Sequence, residues 1–165
     1  MKLETLHDLY VNELRDLHHA ENQIIKALPK MIESSNSTDL RNALANHLEQ
    51  TRTHVERLEQ VFRLHNEEIE DEKCKGMQGI IDEGKDLVKH DENLGVRDAA
   101  IIASAQKVEH YEMASYGTVR TWAEMMGHDE AARLLQQTLE EEEEADKKLT
   151  QIAMAINPVA VRRAG

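Results

Sequence analysis

Glu109 and Glu112 stand three residues apart in the stretch KVEHYEMASYG, residues 107–117. A segment this rich in helix formers places Glu109, Glu112 and Tyr116 along one helical face. The same spacing adds Ile102 and Ala105 before them and Val119 and Ala123 after them. That face is the buried stripe of an amphipathic helix. Carboxylates in such a stripe need a reason. Burying ions without partners costs several kcal/mol each, and adjacent carboxylates also repel one another.

The pattern recurs. Seams of helix bundles repeat nearly every seven residues, and the sevens read Leu14–Glu21–Leu28, Leu44–Thr51–Leu58, Ile102–Glu109–Tyr116 and Leu135–Glu142–Leu149. If the helices align, Glu21, Thr51, Glu109 and Glu142 form one polar layer inside an apolar bundle, with His54 at its shoulder. These seams carry no Lys or Arg. Protonation, water or a cation would each relieve the repulsion. A hard divalent metal held by carboxylates and an imidazole fits best, and an oxygen-rich set without Cys favours iron or manganese over zinc.

A single Glu at a seam is ordinarily an edge residue whose carboxylate reaches water. The coincidence at equivalent heptads, with a Glu-x-x-Glu on one helix, is what argues for a metal. Within the run of Glu140–Glu144 only Glu142 has the inward phase, and the rest read as a solvated face. His18, His19, His47, His65, His90, His110 and His128 show no comparable pattern. Tyr116 reads as core packing whose hydroxyl reaches Glu109 or Glu112.

Four long helices must hold this layer. The first runs from about Leu3 to Ser34, with Pro29 expected to kink its last turns. The second starts at a cap on Ser37 or Thr38 and continues to about His65. A charged connection leads to a weaker helix within residues 74–90, which lies on the crossover. The third long helix spans Val96–Met126 and is closed by Gly127. The fourth begins at Asp129 and is expected to end near Ile156, before Asn157 and Pro158. Short first and last turns with a long middle crossover describe an all-α, ferritin-like four-helix bundle over residues 1–156, followed by a flexible tail, 157–165.

Composition agrees. The chain has 165 residues with 32 acidic against 20 basic side chains, a net charge of −12. That balance opposes nucleic acid, whose affinity comes from neutralising phosphates. No apolar run is long enough to span a bilayer, and the amphipathic start lacks a signal peptide's apolar core. The single Cys, Cys74, excludes an internal disulfide and suits the cytoplasm. Its neighbours Lys73 and Lys75 would lower its pKa modestly, although an ordinary surface or half-buried thiol is the plainer reading. Apolar positions beside the seam (Ile25, Val108, Met113, Val119) lead us to expect a homodimer.

The segments AENQIIKALPKM, HLEQTRTHVERLEQVF, CKGMQGIIDEG, VRDAAIIASAQKVEHYEMASYGT and GHDEAARLLQQTLEEE resemble the YciE/YciF family of bacterial stress-associated, ferritin-like proteins. The resemblance covers nearly the whole chain, and AQKVEHYEMASYG is its most specific part. It implies an all-α bundle, commonly dimeric, with rubrerythrin-like architecture and a candidate ferroxidase activity. Rubrerythrin-like di-iron sites use Glu, Glu-x-x-His, Glu-x-x-Glu and Glu-x-x-His on successive helices. Carried over by position, the ligands would be Glu21, His54, Glu109, Glu112 and Glu142.

Two positions depart from that pattern. Thr51 stands where a bridging Glu would be, and Ala145 where a second His would be. Glu49 or Asp146 would compensate only if its helix rotated locally. One metal, two metals or a vestigial polar layer all fit. The function expected is a metal-binding stress-response protein, with Fe(II) oxidation by O2 or peroxide as the candidate activity. The alternative is a non-catalytic helical dimer with a structural or interaction role.

Overall fold

The computed structural model describes residues 3–70, 73–89 and 93–161, and among these every regular element is a helix. In chain order they are α1 (Leu6–Ser34), α2 (Thr38–His65), α3 (Lys75–Val88), α4 (Leu94–Met125) and α5 (Asp129–Val161). The long helices are α1, α2, α4 and α5. Helix α1 packs on α2, α4 packs on α5, and the pairs join through α2 with α5 and α1 with α4. This is the ferritin-like bundle, with α3 on the crossover against α1 and α4.

Local chemistry sets the boundaries. Thr5 caps α1 in a reciprocal box with Asp8, and the Ser37 side chain accepts from Leu40 N to cap α2, each satisfying a donor the helix cannot. Asn66 closes α2 in the left-handed region, φ 54°. Gly127 follows α4 at φ 75°, where a side chain would be strained. Buried Asp98 of α4 accepts from Asn36 N at 2.7 Å and Ser37 N at 2.8 Å. That one carboxylate ties the α1–α2 turn to the other helix pair.

Helix α1 runs on through Pro29 without a break. Helix α5 also differs from expectation, continuing past Ile156 and through Pro158 to Val161. Pro158 removes one helical hydrogen bond, but the segment is held against the start of α4. A Cβ on Gly95 would lie 3.2 Å from the Ala160 backbone. Of the expected flexible tail, residues 162–165 lie outside the described residues.

The apolar interior forms two clusters. One gathers around Tyr10, Leu14, Leu58, Phe62, Tyr116 and Leu135, the other around Ile24, Leu28, Leu44, Met77, Ile101 and Leu149. The polar layer lies between them, one heptad from each. No described helix is long and apolar enough to cross a membrane.

Candidate metal centre

The structure brings the five expected residues together. Glu21, His54, Glu112 and Glu142 are wholly buried, and Glu109 nearly so. The heptad register that makes each helix bury its neighbours also buries these side chains. All lie inside the bundle rather than extending into solvent, so the ordinary edge reading fails for all of them.

The donor atoms fall into two groups that share Glu142. Glu21, His54 and Glu142 form one; His47, Glu109, Glu112 and Glu142 form the other. Within each group one atom per residue lies within 4.8 Å of the rest. Opposite ligands of a divalent cation sit about 4–5 Å apart, so small side-chain shifts would close either group on an ion. Both oxygens of Glu112 and of Glu142, together with Glu21 Oε2 and Glu109 Oε2, lack a directed hydrogen bond. Buried polar atoms are normally paired, and so many without a directed hydrogen bond in one layer make it a candidate ligand set for a cation.

His47 is the residue that sequence reasoning missed. It lies one turn before Thr51 and one heptad before His54, and that seven-residue spacing was the available signal. Its Nε2 is 3.4 Å from Glu109 Oε1 and 3.9 Å from Glu142 Oε2. The imidazole absent at Ala145 is therefore supplied from α2. Thr51 is buried, but its hydroxyl donates to His47 O at 2.8 Å and takes no part in the ligand set. Neither proposed substitute is in place. Glu49 is exposed and pairs with Arg52, while Asp146 accepts from Gln106 and faces His110.

His54 is no shoulder residue. Its Nδ1 faces the layer, 2.8 Å from Glu142 Oε1 and 3.4 Å from Glu21 Oε1. Its Nε2 donates outward to Glu141 Oε2 at 2.8 Å. Glu141, which had been placed on the solvated face, is clasped by both Arg57 guanidinium nitrogens at 2.7 and 2.8 Å. An imidazole whose outer nitrogen is held by a carboxylate presents its inner nitrogen in a defined direction, the usual support of a metal-binding His.

Tyr116 also reaches across the bundle rather than along its own helix. Its hydroxyl donates to Glu21 Oε1 at 2.5 Å, not to Glu109 or Glu112. An inward-facing hydroxyl on one helix meets whatever the opposite helix presents, and here that is Glu21.

Burial, with Glu142 and Glu21 nearby, pushes Glu109 well above the carboxylate range; burial and the same neighbours do so for Glu112. Burial would lower the His54 pKa, but hydrogen bonds to Glu141, Glu142 and Glu21 outweigh it and carry the group to about 11. Burial would raise Glu142, yet Glu109, His54 and His47 together hold it low. Burial and mutual repulsion thus favour protonated Glu109 and Glu112 beside the His54–Glu142 ion pair, and a divalent cation binding here would displace protons.

A cavity of about 470 Å³ leads from the surface between α2 and α5 to His47 and Glu109. Ala145 lines it, with polar Asp39, Asn42, Gln50 and Glu144 further out. The methyl group standing where a second His was expected thus leaves an opening.

Cys74 corrects another expectation. It is fully buried and caps α3, accepting from Met77 N. Its thiol donates to Asp16 Oδ2 at 3.1 Å, and burial pushes its pKa up rather than down. Lys73 and Lys75 are exposed and do not set the thiol's surroundings.

Known proteins share this arrangement of helices. The chain is 44% identical over 155 residues to protein YciF of Escherichia coli K12, covering 93% of each. The crystal structure of that E. coli stress protein superposes with a TM-score of 0.91 over 94% of this chain and 98% of the other, at 43% identity. YcfI of Rhodopseudomonas palustris, a protein thought to be structural, superposes with a TM-score of 0.88 at 44% identity, over 90% of this chain and 95% of that one. The family model described as a domain of unknown function, DUF892, matches residues 5–161. With that match running from the α1 cap to the end of α5, the chain belongs to the DUF892 family of YciF-like helical proteins.

Proposed function

We propose that this protein is a metal-binding member of the bacterial stress response, holding iron or manganese in the buried layer and oxidising Fe(II) with O2 or peroxide. The observation that carries this reading is the concentration of buried carboxylate and imidazole atoms on Glu21, Glu109, Glu112, Glu142, His47 and His54, which face one another within ligand distance. They would hold two ions with Glu142 between them. Bound iron supplies the redox couple and Lewis acidity. The chain contributes the rest: carboxylates that favour the more highly charged cation, apolar clusters that exclude bulk water, and the polar opening beside Ala145 through which Fe(II) substrate reaches His47.

Following the family resemblance, we take the protein to act in the cytoplasm as a homodimer. Light scattering giving a strict monomer or a large multiple of the subunit mass would count against that assembly.

Metal analysis of protein purified without chelator, followed by anaerobic Fe(II) titration, tests the function. Stoichiometric binding that is lost in Glu109→Ala supports it. A purely structural role, as suggested for YcfI, predicts no binding at any supplied Fe(II) or Mn(II).

A further inference from the structure

The crossover helix α3 has an apolar face, Met77, Ile80, Ile81, Gly84 and Val88, at helical spacing. Only its first turn is fully seated. Cys74 and Met77 are wholly buried, whereas Ile80, Ile81 and Val88 are half-buried. Gly84 presses against α4, where an added Cβ would lie 3.1 Å from Ser104. Between the rest of α3, α1 and α4 lies a cavity of about 620 Å³. Ala27, Met31, Ile80, Ile81, Val88 and Val108 supply its apolar surface.

The charge around this cavity runs against the rest of the molecule. In a chain of net charge −12, its walls carry Lys26, Lys30, Lys85, Lys89 and Arg97 against one acid, Glu33. Lys30, Lys85 and Lys89 make pairs with Glu33, Asp82 and Asp86 three residues away. Such exposed pairs are weak and leave the ammonium groups free to turn toward a stronger anion. An apolar slot with cations on its walls complements a molecule having a hydrocarbon body and an anionic head.

We propose that this cavity binds a long-chain fatty acid, its alkyl chain between α1, α3 and α4 and its carboxylate among the Lys and Arg side chains. The volume lies in the range of small-ligand sites. A small-ligand volume walled by α1, α3 and α4, with cations around apolar side chains, favours a single anionic hydrocarbon chain over a second protein copy. None of the residues lining this cavity is a candidate metal ligand, although Ala27, Met31, Ile81 and Val108 also border a small space reaching His47 and Glu109; binding requires no metal.

Titration of the full-length protein with the fluorescent fatty acid cis-parinaric acid, in chelator, tests the proposal. The expected result is saturable binding of one probe per chain, displaced by palmitate but not by palmitoyl alcohol or an alkylamine. The double variant Lys26→Glu/Lys30→Glu changes exposed side chains on α1 and should weaken binding about tenfold with the thermal melt retained. Ala27→Phe should abolish it by filling the slot. The proposal is overturned if the probe does not saturate, if the charge variant binds as well as wild type, or if neutral and cationic amphiphiles compete equally. It is likewise overturned if the protein binds only anionic vesicles and no free probe, or if the charge variant's sole effect is to split a dimer. Because the measurement is made in chelator, its failure leaves the Fe(II) titration unaffected.

Discussion

His47 and His54 lie one heptad apart on the same face of α2, their ring centroids 6.4 Å apart, and Glu142 of α5 reaches toward both. Its Oε2 is 3.9 Å from His47 Nε2 and its Oε1 is 2.8 Å from His54 Nδ1. One helix thus provides both imidazoles, and one carboxylate joins the two groups of donors. If both groups hold Mn(II) as proposed, His47→Gln should therefore remove one ion and spare the other. Calorimetric titration would show the change in stoichiometry, and an unaltered stoichiometry would remove His47 from the ligand set.

Replacing Glu109 by Gln keeps the shape and removes a carboxyl that is held well above its ordinary pKa by burial and by Glu142. A group whose pKa is raised on folding penalises the native state increasingly as pH climbs above its unfolded value. Glu109→Gln should consequently stabilise the protein in chelator by about 1–3 kcal/mol, with the larger gain at pH 8 and the smaller at pH 5. Mn(II) should stabilise it less than wild type. Equal melts in chelator and equal gains from Mn(II) would show that Glu109 is not a ligand.

Tyr116→Phe deletes the close donor to Glu21 Oε1 and leaves that buried acceptor only the longer contact with His54 Nδ1, at a cost of about 1–3 kcal/mol in chelator. Bound Mn(II) should recover part of that loss by engaging Glu21 directly. Thermal melts under both conditions check it; a loss undiminished by metal would place Glu21 outside the site.

Cys74→Ser should leave metal stoichiometry unchanged, since Cys74 bonds Asp16 and Tyr111 and no residue of the layer. Ser also caps helices well, so α3 should persist. The native thiol should react with Ellman's reagent far more slowly than the unfolded one. Rapid native labelling, or loss of iron in the variant, would contradict this placement.

At the far end of the bundle, the His65 ring lies tilted against His128 with centroids 4.4 Å apart, faces His7 and shares a hydrogen bond with Tyr10 Oη at 3.2 Å. Burial lowers its pKa first, then His128 and His7, against a weaker pull from Glu67. A His whose pKa falls on folding withdraws stability as pH drops below its unfolded value, about 6.5. His128→Asn should raise the His65 pKa and flatten the acid side of the stability curve. Imidazole proton shifts in NMR measure the first effect and melts from pH 7 to 5 the second.

Much of this protein was legible in its sequence. The seven-residue repeats of Leu14–Leu28, Leu44–Leu58, Ile102–Tyr116 and Leu135–Leu149 determined four helices and the polar layer between two apolar ones, because periodicity alone decides which face of a helix is buried. Capping residues such as Ser37 and Gly127 marked the ends for the same local reason. Pairings between helices were a different matter. That His47 brings the second imidazole into the layer, that Tyr116 reaches Glu21, and that Glu141, held by Arg57, bonds His54 all depend on how far one helix slides and turns against another. The continuation of α5 past Pro158 rests likewise on its contact with Gly95. Side-chain period reports a residue's phase about its own axis. Only packing in three dimensions decides which partner that phase meets.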